Sequence, residues 1–298
     1  MLKIEKYGAI DIGSNAIRLL IVSVIEQEDK DVKFKKTSLI RVPIRLGADV
    51  FVNGNVSETS YLRMVDTFKA FQLLMKTHNV FKYRACATSA MREATNGKTI
   101  VKKILKATGI EINIINGNDE AEIIASTDLK SYLVHDKTFL YVDVGGGSTE
   151  LTIYSEGKTV ASKSFKIGTV RLINNMVNDK IWDQMKVWIK NKTQEYDHIS
   201  LLGTGGNINS TFKYSGKKTG TPLTYSYLVD YFNKVKAFSY DDRIIELGMN
   251  PDRADVILPA LKIYIFSMKW SGADCVYVPK IGLSDGIIRS LYNEKFNT

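Results

Sequence analysis

An aspartate runs into three consecutive glycines in the stretch Tyr141-Val142-Asp143-Val144-Gly145-Gly146-Gly147-Ser148-Thr149-Glu150-Leu151. Glycine lacks a Cβ, so the backbone can turn sharply and bring its N–H groups close to a bulky anion. An aspartate beside such a turn can hold a divalent cation that phosphate oxygens share. The apolar, β-branched flanks predict strand, phosphate turn, strand. A tight hairpin whose aspartate only accepts turn N–H bonds is the plainer alternative.

The same pattern stands earlier in the chain, at Ala9-Ile10-Asp11-Ile12-Gly13-Ser14-Asn15-Ala16-Ile17-Arg18-Leu19. Laid on the later copy without gaps, Asp11 falls on Asp143 and Gly13 on Gly145. Two copies this far apart are too distant for a solenoid repeat. They predict a duplicated domain, each half offering one phosphate hairpin to a shared cleft.

Three further stretches carry candidate chemistry. Tyr83 to Arg92 is a short apolar strand ending in small hydroxyl residues. Thr88 and Ser89 can donate to phosphate oxygens there, and Arg92 can grip a phosphate through parallel N–H bonds. A helix cap at Thr88 or Ser89, with Arg92 in solvent, is the alternative. In Asn116-Gly117-Asn118-Asp119-Glu120-Ala121-Glu122, Asn118 is the expected cap, and helix electrostatics alone would explain the acidic first turn. A carboxylate there could also polarise a water. Gly203-Thr204-Gly205-Gly206 offers consecutive N–H donors at the end of an apolar strand, a further anion grip.

The elements that must position these groups follow from periodicity. Ser57 is an expected N-cap, and Tyr61, Met64, Val65, Phe68, Phe71 and Met75 follow helical spacing as a core stripe. A basic helix is expected from about Lys98 to Thr108, stopped by Gly109. Strand character runs from Asp31 to Leu46. A helix holds Trp182, Met185, Val187, Trp188 and Ile189, and Pro251 fits a first helical position after Asn250. An apolar helix from Val256 and a closing helix after Gly286 complete the chain.

The 298 residues, 44% of them hydrophobic, can fill two cores. Lys and Arg exceed Asp and Glu by nine (41 − 32), so the surface field favours anions. The scattered basic residues argue against nucleic acid as partner. Cys86 and Cys275 read as buried free thiols of an intracellular protein. His78, His135 and His198 read as surface or loop residues. No apolar run reaches the ~20 residues a membrane span needs, so no membrane is expected and the expected location is the cytoplasm.

The motifs Asp11 to Asn15, Thr88 to Arg92, Asn116 to Ala121, Asp143 to Glu150, Gly203 to Gly206 and Ser284 to Arg289 occur in an order that resembles the exopolyphosphatase/guanosine pentaphosphate phosphatase family. The resemblance runs from Tyr7 to Tyr292. It implies an α/β fold of two duplicated ribonuclease-H-like (actin-like) domains around a central interdomain cleft. The first would span 1–125, completed by a C-terminal helix at 286–298, and the second 126–285. It implies Glu120 as the base that activates water, and Mg²⁺ held by Asp143 and Glu150 with Asp11 as a further acidic partner. Gly13, Ser14, Asn15, Gly145, Gly146, Gly147 and Ser148 would cradle phosphates, with Thr88, Ser89, Gly205 and Gly206 as added donors and Arg92 neutralising charge. Arg18 and Arg253 are candidates for the extra phosphates of a nucleotide, or ordinary surface arginines.

Ala16, Asp119, Glu122 and Asn207 depart from the family's common residues without touching the base or the metal ligands. Longer relatives add a helical C-terminal region, so short polyphosphate or a nucleotide is the expected substrate. A homodimer is a family-level expectation. A kinase or ATPase of the same superfamily, and a non-catalytic sensor of polyphosphate or guanosine tetraphosphate, are the competing readings.

Overall fold

The structure, a computed structural model, describes residues 1–125, 127 and 137–294. It divides into two compact units, Met1–Thr127 with Gly282–Thr298, and Asp128–Ile281. His135 lies outside the described residues.

The first unit opens with β1 (Leu2–Ile12), β2 (Ile17–Gln27) and β3 (Lys33–Val42), followed by α1 (Leu46–Asn53) and α2 (Glu58–Thr77). Then come β4 (Val80–Ala87), α3 (Ser89–Glu93), α4 (Gly97–Thr108), β5 (Ile112–Ile114) and α5 (Gly117–Ala125). The second contains β6 (Thr138–Val144), β7 (Thr149–Ser155), β8 (Lys158–Phe165), α6 (Thr169–Ile173), α7 (Asp179–Thr193), β9 (Ile199–Thr204) and α8 (Gly206–Tyr214). It continues through β10 (Leu223–Thr224), α9 (Tyr225–Lys236), α10 (Tyr240–Ile245), α11 (Pro251–Ala254), α12 (Ile257–Ser271) and β11 (Cys275–Tyr277). The last helix, α13 (Leu283–Asn293), belongs to the first unit.

The sheet orders, β3-β2-β1-β4-β5 and β10-β11-β9-β6-β7-β8, bear out the duplication. In each sheet an antiparallel three-strand meander is joined through its first strand to a parallel strand. The architecture is thus two-domain α/β with two mixed sheets. β1 is exposed where it starts and buried from Tyr7 to Ile12, so its hairpin with β2 emerges from the core. The second unit's core gathers Leu140, Val142, Leu151, Ile153 and Leu201, which share one sheet face, with Met185 of α7.

Local chemistry explains several element ends. Ser57 Oγ accepts the Ser60 N–H at 3.1 Å and starts α2, whose Met64, Phe68, Phe71 and Met75 are buried as the spacing predicts. Gly109 ends α4 at φ +67°, a left-handed cap that favours glycine. At α5 the cap is Asn116, not Asn118: its Oδ1 accepts the N–H groups of Asn118 at 2.8 Å and Asp119 at 2.9 Å. The strand expected up to Leu46 ends at Val42, and α1 begins where no periodicity announced a helix. The expected buried pair of thiols is half right, since Cys86 is buried and Cys275 only half-buried.

α13 completes the first unit and presses on α5, where a side chain at Gly286 would collide with the Ile123 carbonyl. Lys36 Nζ reaches Asp285 at 2.7 Å, the Arg289 guanidinium lies 3.9 Å from the Phe34 ring, and Arg84 pairs with Glu294. Among the described residues no helix is long and apolar enough to cross a membrane.

Candidate active site

Asp143 and Glu150 are register partners on β6 and β7, so their side chains rise from the same sheet face at the mouth of the glycine turn. Glu150 is 4% exposed. Its Oε1 accepts from Ser148 Oγ at 2.6 Å and from Ser164 Oγ at 3.0 Å. The Ser148 hydroxyl, expected to meet phosphate, therefore orients Glu150.

The carbonyls of the turn are all engaged. Gly145 O accepts from Thr169 N at 3.0 Å, Gly146 O from Val170 N at 2.9 Å, Gly147 O from Arg171 Nε at 2.7 Å and Ser148 O from Gly145 N at 2.9 Å. In a planar trans peptide the next N–H points away from the carbonyl. Tying the carbonyls to α6 thus turns the N–H groups of Gly146, Gly147 and Ser148 the other way, where an anion can take them. Gly168 makes this packing possible, because any side chain there would strike the Gly146 carbonyl.

Beside this turn lies the β9–α8 turn. Gly205 sits at φ +109°, and a Cβ on it would come 2.9 Å from Val144 O and 3.3 Å from Asp143 Oδ1. Gly206 leaves room for Arg253, whose Nη1 would be 2.9 Å from an added Cβ and which reaches Asn207 Oδ1 at 3.5 Å. Arg253 therefore lies over the first turn of α8.

The first unit repeats the arrangement with different side chains. Gly13 N donates to Ala16 O at 3.1 Å, as Gly145 N does to Ser148 O. Ser14 O and Asn15 O accept from Gly47 N at 2.7 Å and Arg45 N at 3.0 Å. Arg45 takes the left-handed conformation, φ +64°, that brings both N–H groups round to the hairpin. Ser14 Oγ and Ser89 Oγ are 2.9 Å apart, and Thr88 N donates to Ile12 O, which joins the hairpin to the end of β4.

Arg18 is the register partner of Asp11 and binds it, Nη1 to Oδ2, at 3.3 Å. Burial pushes the Asp11 carboxyl above its ordinary range, and Arg18 offsets part of that rise. Arg92 Nη1 donates to Ile115 O at 2.7 Å and stands 4.0 Å from Glu120 Oε2. Glu120, 9% exposed, projects from the first turn of α5, so Thr88, Ser89, Arg92 and Glu120 gather at the ends of β4 and β5.

The candidates thus fall into two groups, one per unit. Asp11, Gly13, Ser14, Asn15, Arg18, Thr88, Ser89, Arg92 and Glu120 belong to the first, and Asp143, Gly145, Gly146, Gly147, Ser148, Glu150, Gly205, Gly206 and Arg253 to the second. Sequence reasoning assigned no role to Arg171, Gly168 or Ser164.

Asp143 and Glu150 fit a hard divalent cation. Two neighbouring carboxylates offer oxygen donors only, which suits Mg²⁺, an ion that usually takes one or two carboxylates and fills its other positions with water and phosphate. Among the described residues no group of three or more His, Cys, Asp or Glu is placed to hold a metal. At Asp11 the resident cation is Arg18.

A cavity of about 650 Å³ opens in the second unit where β9 and β11 begin, lined by Lys190, Tyr196, His198, Trp270 and Cys275. It lies at the opposite strand ends from the glycine turns.

Two mixed sheets, each with a hairpin turn whose carbonyls are tied inward beside carboxylates, define a two-domain α/β class of protein. The chain belongs to the Ppx/GppA phosphatase family, whose model matches residues 24–295. It is 29% identical to the bifunctional 3-dehydroquinate synthase/phosphatase of Fusobacterium nucleatum, over 92% of this chain and 46% of that one. It is 22% identical to exopolyphosphatase 1 of Mycobacterium tuberculosis, over 98% and 90%. With the guanosine-5'-triphosphate,3'-diphosphate pyrophosphatase of Aliivibrio fischeri it shares 29% identity over 60% of this chain and 35% of that one. The chain thus spans less than half of the Fusobacterium and Aliivibrio relatives. The fold matches a solved exopolyphosphatase from Cytophaga hutchinsonii with a TM-score of 0.85 at 23% identity, covering 97% and 98% of the two chains. It also matches the Aquifex aeolicus family member with a TM-score of 0.77 at 23% identity, covering 98% and 99%.

Proposed function

We propose that this protein is a Mg²⁺-dependent phosphohydrolase that releases the terminal phosphate of inorganic polyphosphate, of short chain length, or of guanosine pentaphosphate. The observation that carries the reading is the Asp143–Glu150 carboxylate pair beside a turn whose carbonyls are all tied inward. The names of the Mycobacterium and Aliivibrio relatives agree with it.

Asp143 and Glu150 would hold Mg²⁺, which supplies charge neutralisation to the phosphate oxygens when bound. The N–H groups of Gly146, Gly147 and Ser148, with those of the β9–α8 turn, orient the terminal phosphoryl group. Arg92 and the N–H groups beyond Ser14 and Asn15 serve the rest of the phosphate chain, and Arg253 serves added phosphates of a nucleotide. Glu120 takes a proton from water, whose oxygen forms the new bond to the terminal phosphorus. The bond to the bridging oxygen breaks and the shortened chain leaves with that oxygen. Phosphoryl transfer of this kind needs placement and charge neutralisation more than covalent chemistry.

The test is orthophosphate release, with Mg²⁺, from polyphosphates of several lengths, guanosine pentaphosphate and ATP, assayed side by side. Release from polyphosphate or guanosine pentaphosphate in excess of ATP is expected. Tight binding of these anions with no release under any divalent metal would favour a sensor instead, and sugar-stimulated ATP turnover a kinase.

A further inference from the structure

Tyr264, fully buried in α12, carries a hydroxyl that belongs to neither turn and touches the root of both. The last rung of the parallel β6–β9 ladder is Asp143 with Thr204. One step further, the Tyr264 hydroxyl donates to the Thr204 carbonyl, and the Val144 backbone N–H lies against the same hydroxyl. It acts as an inserted rung at the point where the two strands part. Gly203 provides the space, since a Cβ there would stand 3.2 Å from the Tyr264 ring and 2.8 Å from Val276.

Both consequences reach the glycine turns. With its carbonyl held by Tyr264, Thr204 presents the following N–H, that of Gly205, on the opposite side of the peptide plane. Val144, whose N–H lies against that hydroxyl, leads directly into the Gly145 turn. Thr204 is secured a second time, because its Oγ1 donates to the Tyr141 hydroxyl at 2.7 Å. Burial raises both tyrosine hydroxyls well above their ordinary range, with the Asp143 charge adding to the rise, so both stay protonated.

We propose that Tyr264 is a positioning residue for phosphate binding: its hydroxyl sets the spacing and facing of the Gly145–Gly147 and Gly205–Gly206 turns. The inference rests on the reading of those turns as phosphate sites.

The test compares wild type, Tyr264→Phe and Tyr154→Phe. Tyr154 packs its ring against Tyr141, and its hydroxyl meets Thr159 instead of either turn. Orthophosphate binding is measured by calorimetry with Mg²⁺, and polyphosphate turnover is resolved into kcat and KM. For Tyr264→Phe, weaker orthophosphate binding and a KM raised about 5- to 20-fold are expected, with kcat within about threefold, since a placed donor and not the reacting group is disturbed. Tyr154→Phe should match wild type. Wild-type binding and KM in Tyr264→Phe would overturn the proposal, as would equal losses in both variants, which indicate general loosening. If wild type binds orthophosphate but turns over no substrate, the hydrolase reading fails and the calorimetric comparison still decides the role of Tyr264. No orthophosphate binding by wild type would overturn both.

Discussion

Asp143 and Glu150 occupy one rung of the antiparallel β6–β7 ladder, and the matching rung of β1–β2 is filled by Asp11 and Arg18. The two hairpins share the turn bond, Gly13 N to Ala16 O and Gly145 N to Ser148 O, and in each the two central carbonyls are tied to the chain that follows. They differ in charge at one position. In the first unit the aspartate pairs with an arginine, and in the second its rung partner is another carboxylate. Under the proposed function, the Mg²⁺ held by Asp143 and Glu150 would sit in the second unit.

The Asp11–Arg18 pair makes stability depend on pH. Burial raises the folded carboxyl above its ordinary 3.8, so the native state holds that proton more tightly than the unfolded chain. This contribution to stability is present at acid pH and is lost as pH rises through the raised folded value. Removing Arg18 takes away the opposing effect and raises the folded value further. Arg18→Gln should therefore cost roughly 1 kcal/mol at neutral pH, a modest figure because the arginine is partly exposed, and little near pH 4. Thermal melts of wild type, Arg18→Gln and Asp11→Asn from pH 4 to 8 check this. Asp11→Asn should lack this pH-dependent component, and a deficit in Arg18→Gln independent of pH would contradict the account.

Glu120→Gln keeps the shape and the α5 first turn while removing the proton acceptor. Steady-state phosphate release should fall about 10²- to 10⁴-fold in kcat with KM little changed. Undiminished turnover would remove Glu120 from the role of base.

Gly168 is extended at φ −138°, a conformation any residue adopts, so the cost of a side chain there is purely steric. A methyl group would have to displace the Gly146 and Gly147 backbone. Gly168→Ala should destabilise the second unit by about 1–3 kcal/mol, the usual cost of overpacking, and weaken phosphate binding. Denaturant melts together with orthophosphate calorimetry measure both.

Much of this was legible in the sequence because it depends on local chemistry. The Asp-to-glycine strings at Asp11 and Asp143 announced both hairpins, and 3.6-residue spacing announced α2. α1 was missed because Leu46-Gly47-Ala48-Asp49 carries no stop or cap signal, and its start depends on Arg45 and Gly47 reaching back to hairpin carbonyls. The cap at α5 was misplaced by two residues, since Asn116 and Asn118 are equal in type and only geometry separates them. Arg171 and Tyr264 were illegible for a related reason. Each acts across 24 to 60 residues on a backbone atom, and backbone atoms leave no trace in residue identity.

Under the proposed function, Glu150 and Asp143 recruit the divalent cation that hydrolysis uses. Phosphate release from polyphosphate, titrated with Mg²⁺ in wild type and Glu150→Gln, tests it most directly. The account predicts activity that requires Mg²⁺ in wild type. In the variant it predicts a half-saturating Mg²⁺ concentration raised at least about tenfold and kcat lowered about 10²-fold, consistent with the several kcal/mol a bound metal contributes. A Glu150→Gln enzyme with the wild-type Mg²⁺ response would contradict it.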